Sequence, residues 1–297
     1  MKNSIGFRET ESSLLSDLSN NNDLKFDLNY FDRDFYKELV SDFKKFLEFI
    51  SYKRVLVIGD IMLDRWVKGE VERISPEAPV PVVRVYKEWV DLGGAANVAK
   101  ILSYYSSNVS LVGFVGNDIY SRYLFSLLKK RKVNYNIIKS SKTTIVKTRV
   151  IANNNQHIVR VDREDINYSY QDYNNLYNFL KQLNLKDFDI IFFIDYAKNF
   201  FNEKSIGFIS DFIKSGKSDK FVILCPKPSN FSLFKNLGKI NYLSVNKNEA
   251  IEIFKIPFLK ESNLKFNVDL IKKLLSFFVS NGKLESGVEI EDTIITL

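Results

Sequence analysis

The sequence predicts an α/β protein: a doubly wound parallel sheet with helices on both faces and a small β lid projecting from it. Three observations carry this. Short apolar runs rich in branched residues recur at Arg54–Asp60, Val109–Val115, Asp189–Asp195, Lys220–Pro226, Tyr242–Asn246 and Thr293–Leu297. They are continuous rather than alternating, as strands covered on both faces must be. Between them lie segments whose apolar residues return every three or four positions, at Gly94–Tyr105, Ile119–Lys130, Tyr170–Gln182, Lys204–Lys214 and Leu264–Ser280, the period of a helix with one buried face. Finally, two stretches interrupt the alternation and read as strand pairs.

In chain order, residues 1–25 are rich in Ser, Asn and Asp with no steady period, which predicts a mobile tail. Phe31, Phe35, Leu39, Phe43, Phe46, Leu47 and Ile50 then recur at helical steps, so a leading helix is expected over Tyr30–Ile50. The division is therefore residues 1–50 as tail and leading helix, and 51–297 as the main domain. The first strand ends in Gly59-Asp60, the form of a buried strand delivering a polar residue to the carboxyl edge of a sheet. Trp66–Ile74 and Val80–Tyr86 flank Ser75-Pro76-Glu77-Ala78-Pro79, a spacer that cannot be helical; these are the lid strands, about 66–87. Thr144–Ala152 and Gln156–Asp162 flank Asn153-Asn154-Asn155, a hairpin turn.

Composition narrows the function. A chain of 297 residues with 45% hydrophobic content can bury a large core at roughly 25 cal/mol per Å². It contains no run of about 18 uncharged apolar residues and its first residues lack the apolar core of a signal peptide, so a cytoplasmic protein without membrane contact is expected. The single Cys225 excludes an internal disulfide and a multi-thiolate zinc site. His157 is the only histidine, which excludes paired-histidine metal and nucleotidyltransferase motifs; its place in Gln156–Val161 is that of an ordinary strand residue. The net charge of +7 favours anionic partners, but the lysines are spread along the chain without a basic stripe interleaved with aromatics, so no nucleic-acid role is expected.

Two motifs carry chemistry. Gly93-Gly94-Ala95-Ala96-Asn97 leaves the backbone free to approach a ligand, with helix N–H groups and the Asn97 amide next to it; taken alone, a glycine pair before a helix is more often just a tight turn. Asp60 and Asp64 are two carboxylates just past a strand end, and ionised carboxylates accept hydrogen bonds from vicinal sugar hydroxyls; a turn-capping Asp60 and a solvated Asp64 explain them equally.

The stretch GDIMLDRWVKGEVERISPEAPVPVVRV, with LGGAANVAKIL and LVGFVGND after it, resembles the ribokinase-type (PfkB) carbohydrate kinases, most of all the branch that phosphorylates D-glycero-D-manno-heptose 7-phosphate in lipopolysaccharide core and ADP-heptose synthesis. The likeness continues through Thr144–Arg149, Asp195–Lys198, Pro226-Lys227 and Asn246–Glu249. It implies a ribokinase-like fold and transfer of the γ-phosphoryl of ATP to a heptose phosphate. Asp60, Asp64, Gly93, Gly94 and Asn97 would hold the sugar, and Lys147, Arg149 and Lys198 would lie near its phosphate or the transferred phosphoryl. Lys227, Asn246 and Glu249 would lie near ATP and its Mg2+, Glu249 reaching the metal through water. The lid would close over the sugar and pair with a second subunit in a homodimer.

Two departures qualify what the resemblance implies. Cys225-Pro226-Lys227 stands where the family usually has Asp-Pro-Lys. The family's Gly-Ala-Gly-Asp, which supplies the catalytic aspartate, occurs nowhere in the chain, so the C-terminal part of the kinase domain is expected to be missing and its activity impaired. The alternatives are a non-catalytic descendant that binds a sugar phosphate or a partner subunit, and a related kinase for another sugar. An adenylyltransferase activity is excluded by the histidine count.

Overall fold

The structure, a computed structural model, describes residue 45 and residues 47–215, 220–254 and 290–296. The expected tail, nearly all of the leading helix and the helix at Leu264–Ser280 lie outside the described residues; residues 47–51, the end of the leading helix, are helical. Phe49–Leu297 form one compact unit.

In chain order the elements are β1 (Arg54–Gly59), β2 (Ile61–Ile74), β3 (Pro81–Gly94), α1 (Ala95–Leu102), β4 (Asn108–Val115), α2 (Ile119–Lys130), β5 (Asn134–Lys139), β6 (Ile145–Ala152), β7 (Gln156–Arg163), α3 (Tyr170–Gln182), β8 (Ile190–Ile194), α4 (Glu203–Ser215), β9 (Phe221–Cys225), β10 (Ile240–Asn246), α5 (Lys247–Phe254) and β11 (Ile290–Thr296). A seven-stranded parallel sheet runs β11-β10-β9-β8-β1-β4-β5. This is the expected doubly wound α/β architecture.

The apolar runs are continuous because each strand is covered twice. Leu56 and Ile58 of β1 pack into a core with Leu176 and Leu180 of α3 and Ile209 and Phe212 of α4. Val55 and Val57, pointing the other way, join Ala96 and Ala99 of α1 and Leu124 and Leu128 of α2. Successive side chains of a strand point to opposite faces, so both parities of β1 are apolar. On the first face Phe114, Phe200, Phe201 and Phe234 form a chain of edge-on contacts with centroids 5.0–5.1 Å apart, a favoured arrangement of aromatic quadrupoles.

Helix starts follow their caps. Asp118 accepts from the Ser121 N–H at 2.9 Å and Ser121 Oγ bonds back to residue 118, so α2 begins where the sequence places it. Ser169 and Asp172 do the same for α3.

The lid is larger than the sequence suggests. The two expected strand pairs are one four-stranded sheet in the order β3-β2-β6-β7, joined by parallel pairing of β2 with β6. Its strands start directly at the sheet edge, at Ile61, and return at Gly94. The hairpin turn is as read: Asn153, Asn154 and Asn155 all have positive φ, at 36°, 49° and 66°, a region that asparagine tolerates better than most residues.

Candidate functional site

The site is assembled where β1 hands over to the lid. Asp60, just past Gly59, is 2% exposed. Its Oδ2 accepts from the backbone N–H groups of Tyr196 (2.7 Å) and Lys198 (3.1 Å), and its Oδ1 from that of Phe200 (3.3 Å). Its carbonyl accepts from the Ala95 N–H at 2.8 Å. One residue thus fixes the turn after β8 and the start of α1. Burial pushes the Asp60 carboxyl up to about 7; the N–H donors oppose this and the charge of Asp195 adds to it. Its acceptor capacity is largely taken up by the chain itself.

Asp64, four residues on in β2, is half-buried and accepts from Arg149 Nη1 at 2.5 Å. The Arg149 guanidinium also lies 4.8 Å above the Trp66 ring, and Trp66 stacks on Trp89 at 5.8 Å and 6°. Register explains the grouping: Trp66 faces Trp89 on β3 and Arg149 on β6, while Asp64 faces Lys147. The glycines close the corner. A Cβ on Gly93 would stand 2.9 Å from Asp64 Oδ2, and one on Gly94, whose φ is +57°, would stand 2.3 Å from the Asp60 carbonyl oxygen. Only glycine fits both positions without displacement. Asn97 is half-buried in the first turn of α1, which has no side-chain cap.

Beside this corner lies a cation cluster. Lys147 Nζ donates to Glu164 Oε1 at 2.7 Å and to Asp162 Oδ2 at 3.3 Å, and Lys198 Nζ donates to Glu164 Oε2 at 2.6 Å. Desolvation raises the Glu164 carboxyl, but the two lysines outweigh it and hold it below its usual value. Asp162 is also lowered, chiefly by its hydrogen bonds from Arg160.

A cavity of about 390 Å³ opens past the carboxyl ends of β8, β9 and β10, lined among others by Val98, Asp195, Tyr196, Cys225, Lys227, Asn246 and Glu249. Asp195 accepts from the Ala197 and Lys227 N–H groups and from Asn230 Nδ2, tying two turns together. Burial raises its carboxyl, against the pull of these donors. Lys227 Nζ donates to Glu249 Oε1 at 2.5 Å; the Asn246 N–H donates to Glu249 Oε2, and the Glu249 N–H to Asn246 Oδ1, both at 2.9 Å. Burial pushes the Cys225 thiol up to about 11, so at neutral pH it is uncharged where a carboxylate would be an anion.

Among the described residues no cluster of three or more His, Cys, Asp or Glu side chains is able to hold a metal. Both Glu249 oxygens already accept hydrogen bonds. This donor set fits a Mg2+ carried by phosphate oxygens and touched through water, not a protein cage.

The structure therefore brings Asp64, Arg149, Gly93 and Gly94 to one corner, joins Lys147 and Lys198 through Glu164, and sets Lys227, Asn246 and Glu249 around one cavity. Asp60 lies beneath as their support. Glu164 was not singled out from the sequence; Asp195 and Tyr196 figure there only as part of the Asp-Tyr-Ala-Lys likeness, with no role given to either, and they line the cavity.

A seven-stranded parallel sheet with a β lid at its carboxyl edge is the ribokinase-like α/β fold. The chain belongs to the pfkB family of carbohydrate kinases, whose family model matches residues 52–283. Relatives include the bifunctional protein HldE of Sulfurimonas denitrificans, 35% identical over 80% of this chain and 50% of that one, and HldE of Campylobacter jejuni, 34% identical over 82% and 50%. The chain spans about half the length of these curated relatives. Among solved structures it is similar to phosphofructokinase-2 from Escherichia coli in complex with fructose-6-phosphate (TM-score 0.61, 16% identity, 82% of this chain and 74% of that one) and to ribokinase from Giardia lamblia (TM-score 0.55, 14%, 82% and 70%). At these identities the structural likeness concerns the fold.

Proposed function

We propose that the chain binds a phosphorylated heptose at the corner of Asp64, Gly93, Gly94 and Asn97, beside an ATP site around Lys227, Asn246 and Glu249, as part of a heptose 7-phosphate kinase acting in the cytoplasm. The single observation that carries this is the Asp64 carboxylate held by Arg149 against Gly93, where a Cβ would stand 2.9 Å from Asp64 Oδ2, next to Gly94 with its φ of +57°. Asp64 accepts hydroxyl protons in hydrogen bonds, Asn97 adds an amide, and the lid above excludes water. Lys147 and Lys198 offer paired positive charge to the sugar phosphate. Lys227 faces the nucleotide's phosphates. Asn246 and Glu249 would hold Mg2+ through water, and the ion would neutralise charge on the phosphate oxygens. Proton transfer from the sugar hydroxyl is assigned to no residue, because Gly-Ala-Gly-Asp is not among the 297 residues.

The heptose comes from the likeness of GDIMLDRW and ISPEAPVPVV to the heptose 7-phosphate kinases. A coupled assay with Mg2+, ATP and a heptose 7-phosphate tests the reaction, and a panel of hexose and pentose phosphates tests the sugar. Stronger phosphorylation of another sugar by the same chain overturns the substrate. Binding without turnover places the chain among non-catalytic sugar-phosphate binders. The lid, with Val85, Tyr86 and Trp89 exposed on β3, is proposed to pair two chains; sedimentation of a monomer at every concentration overturns that part.

A further inference from the structure

We propose that Glu164 is a built-in substitute for the substrate phosphate: its carboxylate occupies the seat between Lys147 and Lys198 and must leave before a phosphate enters. This rests on the reading of the corner as a sugar-phosphate site and adds how that site is kept closed.

The geometry is that of a bidentate anion site with its anion in place. The two carboxylate oxygens each take one lysine, Oε1 from Lys147 Nζ at 2.7 Å and Oε2 from Lys198 Nζ at 2.6 Å. Neighbouring oxygens of a phosphate are spaced much as those of a carboxylate, so a phosphate fits the same two donors. The lysines are anchored. Lys147 sits on β6, inside the four-stranded sheet, with its side chain only 10% exposed. Lys198 sits on the turn whose backbone Asp60 holds.

Glu164, by contrast, follows the end of β7 in a stretch without regular structure that runs to Ser169. Among the described residues its carboxylate oxygens are bonded by the two lysines. A turn of this stretch frees both cations at once. Lys147 keeps Asp162 at 3.3 Å, so the opened pair is not left without counter-charge. A phosphate, carrying nearly twice the charge of a carboxylate, competes for the seat, and Glu164 sets a threshold that uncharged sugars do not pass.

The direction of the effect separates this from a structural role. If Glu164 only positions the lysines, removing its charge weakens phosphate binding; if it competes, removal strengthens it. Calorimetric titration of the full chain with inorganic phosphate is expected to give binding about tenfold tighter in Glu164→Gln than in wild type, since two charge-assisted hydrogen bonds no longer have to be broken. Lys147→Met added to Glu164→Gln is expected to reverse the gain. Equal or weaker phosphate binding by Glu164→Gln overturns the proposal. Should that variant melt far below wild type, Glu164→Ser makes the same comparison. Tightened phosphate binding together with a heptose 7-phosphate that binds no better than phosphate keeps the proposal and sinks the sugar reading. Heptose 7-phosphate binding to wild type that Glu164→Gln weakens keeps the sugar reading and sinks the proposal.

Discussion

Asp60 illustrates how one side chain can serve a site without facing the ligand. Three backbone N–H groups end on its carboxylate, and losing them would free the turn that carries Lys198. Its raised value, about 7, fixes the sign of a pH effect. Between the ordinary aspartate value and 7 the folded chain keeps a proton that the unfolded chain has lost. The contribution of Asp60 to stability is therefore full below the unfolded value and falls as pH rises toward 7, by at most about 1.4 kcal/mol per pH unit. Urea unfolding of wild type and Asp60→Asn at pH 4.5 and 7 is expected to show a smaller pH dependence in the variant; equal slopes contradict the assignment. Gly94 carries a second prediction. Its φ of +57° and the Asp60 carbonyl 2.3 Å from any Cβ make Gly94→Ala destabilising by about 1–2 kcal/mol from backbone strain alone, read as a lowered urea midpoint. From the sequence, Gly93, Gly94 and Asp64 were legible as a candidate site only in combination, through the family resemblance, because a glycine pair and a strand-end acid each have a plainer structural use. The saturation of Asp60 was not, since its partners lie more than 130 residues away along the chain.

At the level of elements, the lid hairpin shows why part of the site stayed hidden. Counting outward from the Asn153–Asn155 turn sets Lys147 opposite Val161. A bulge between Val150 and Ile151 shifts the register by one, so Lys147 faces Asp162 instead. An extra residue in one strand moves every later side chain to the other face, and nothing local in Gln156–Arg163 announces it. The anion cluster of Asp162 and Glu164 depends on that shift. Strand β5, Asn-Tyr-Asn-Ile-Ile-Lys, was missed because it is an edge strand, only partly covered, with a polar alternation; α5, of eight residues, is too short to display a period. The turn itself gives a test. Asn154 has a φ of 49°, which glycine adopts freely, so Asn154→Gly is expected to raise stability slightly and Asn154→Val to lower it by about 1–2 kcal/mol. Thermal melts of the two variants check the order; a more stable valine variant contradicts the turn geometry.

Across the whole molecule, the arrangement follows from a parallel sheet that buries both faces and leaves its carboxyl edge as the place for chemistry. Among the described residues, helices α1 and α2 cover one side and α3, α4 and α5 the other, which leaves the carboxyl edge, where the lid strands start, as the proposed place for the ligand. The fold class was legible because alternating strand and helix periods are a global signal that survives local misreading. The pfkB membership and the corner geometry together make sugar-phosphate binding the central claim. The direct measurement is calorimetric titration of a heptose 7-phosphate into the whole chain, wild type beside Asp64→Asn. One site per chain is expected, with affinity reduced at least about tenfold in the variant through loss of charged acceptors to the sugar hydroxyls. No heat from folded wild-type protein, or equal affinity in the two, contradicts the account.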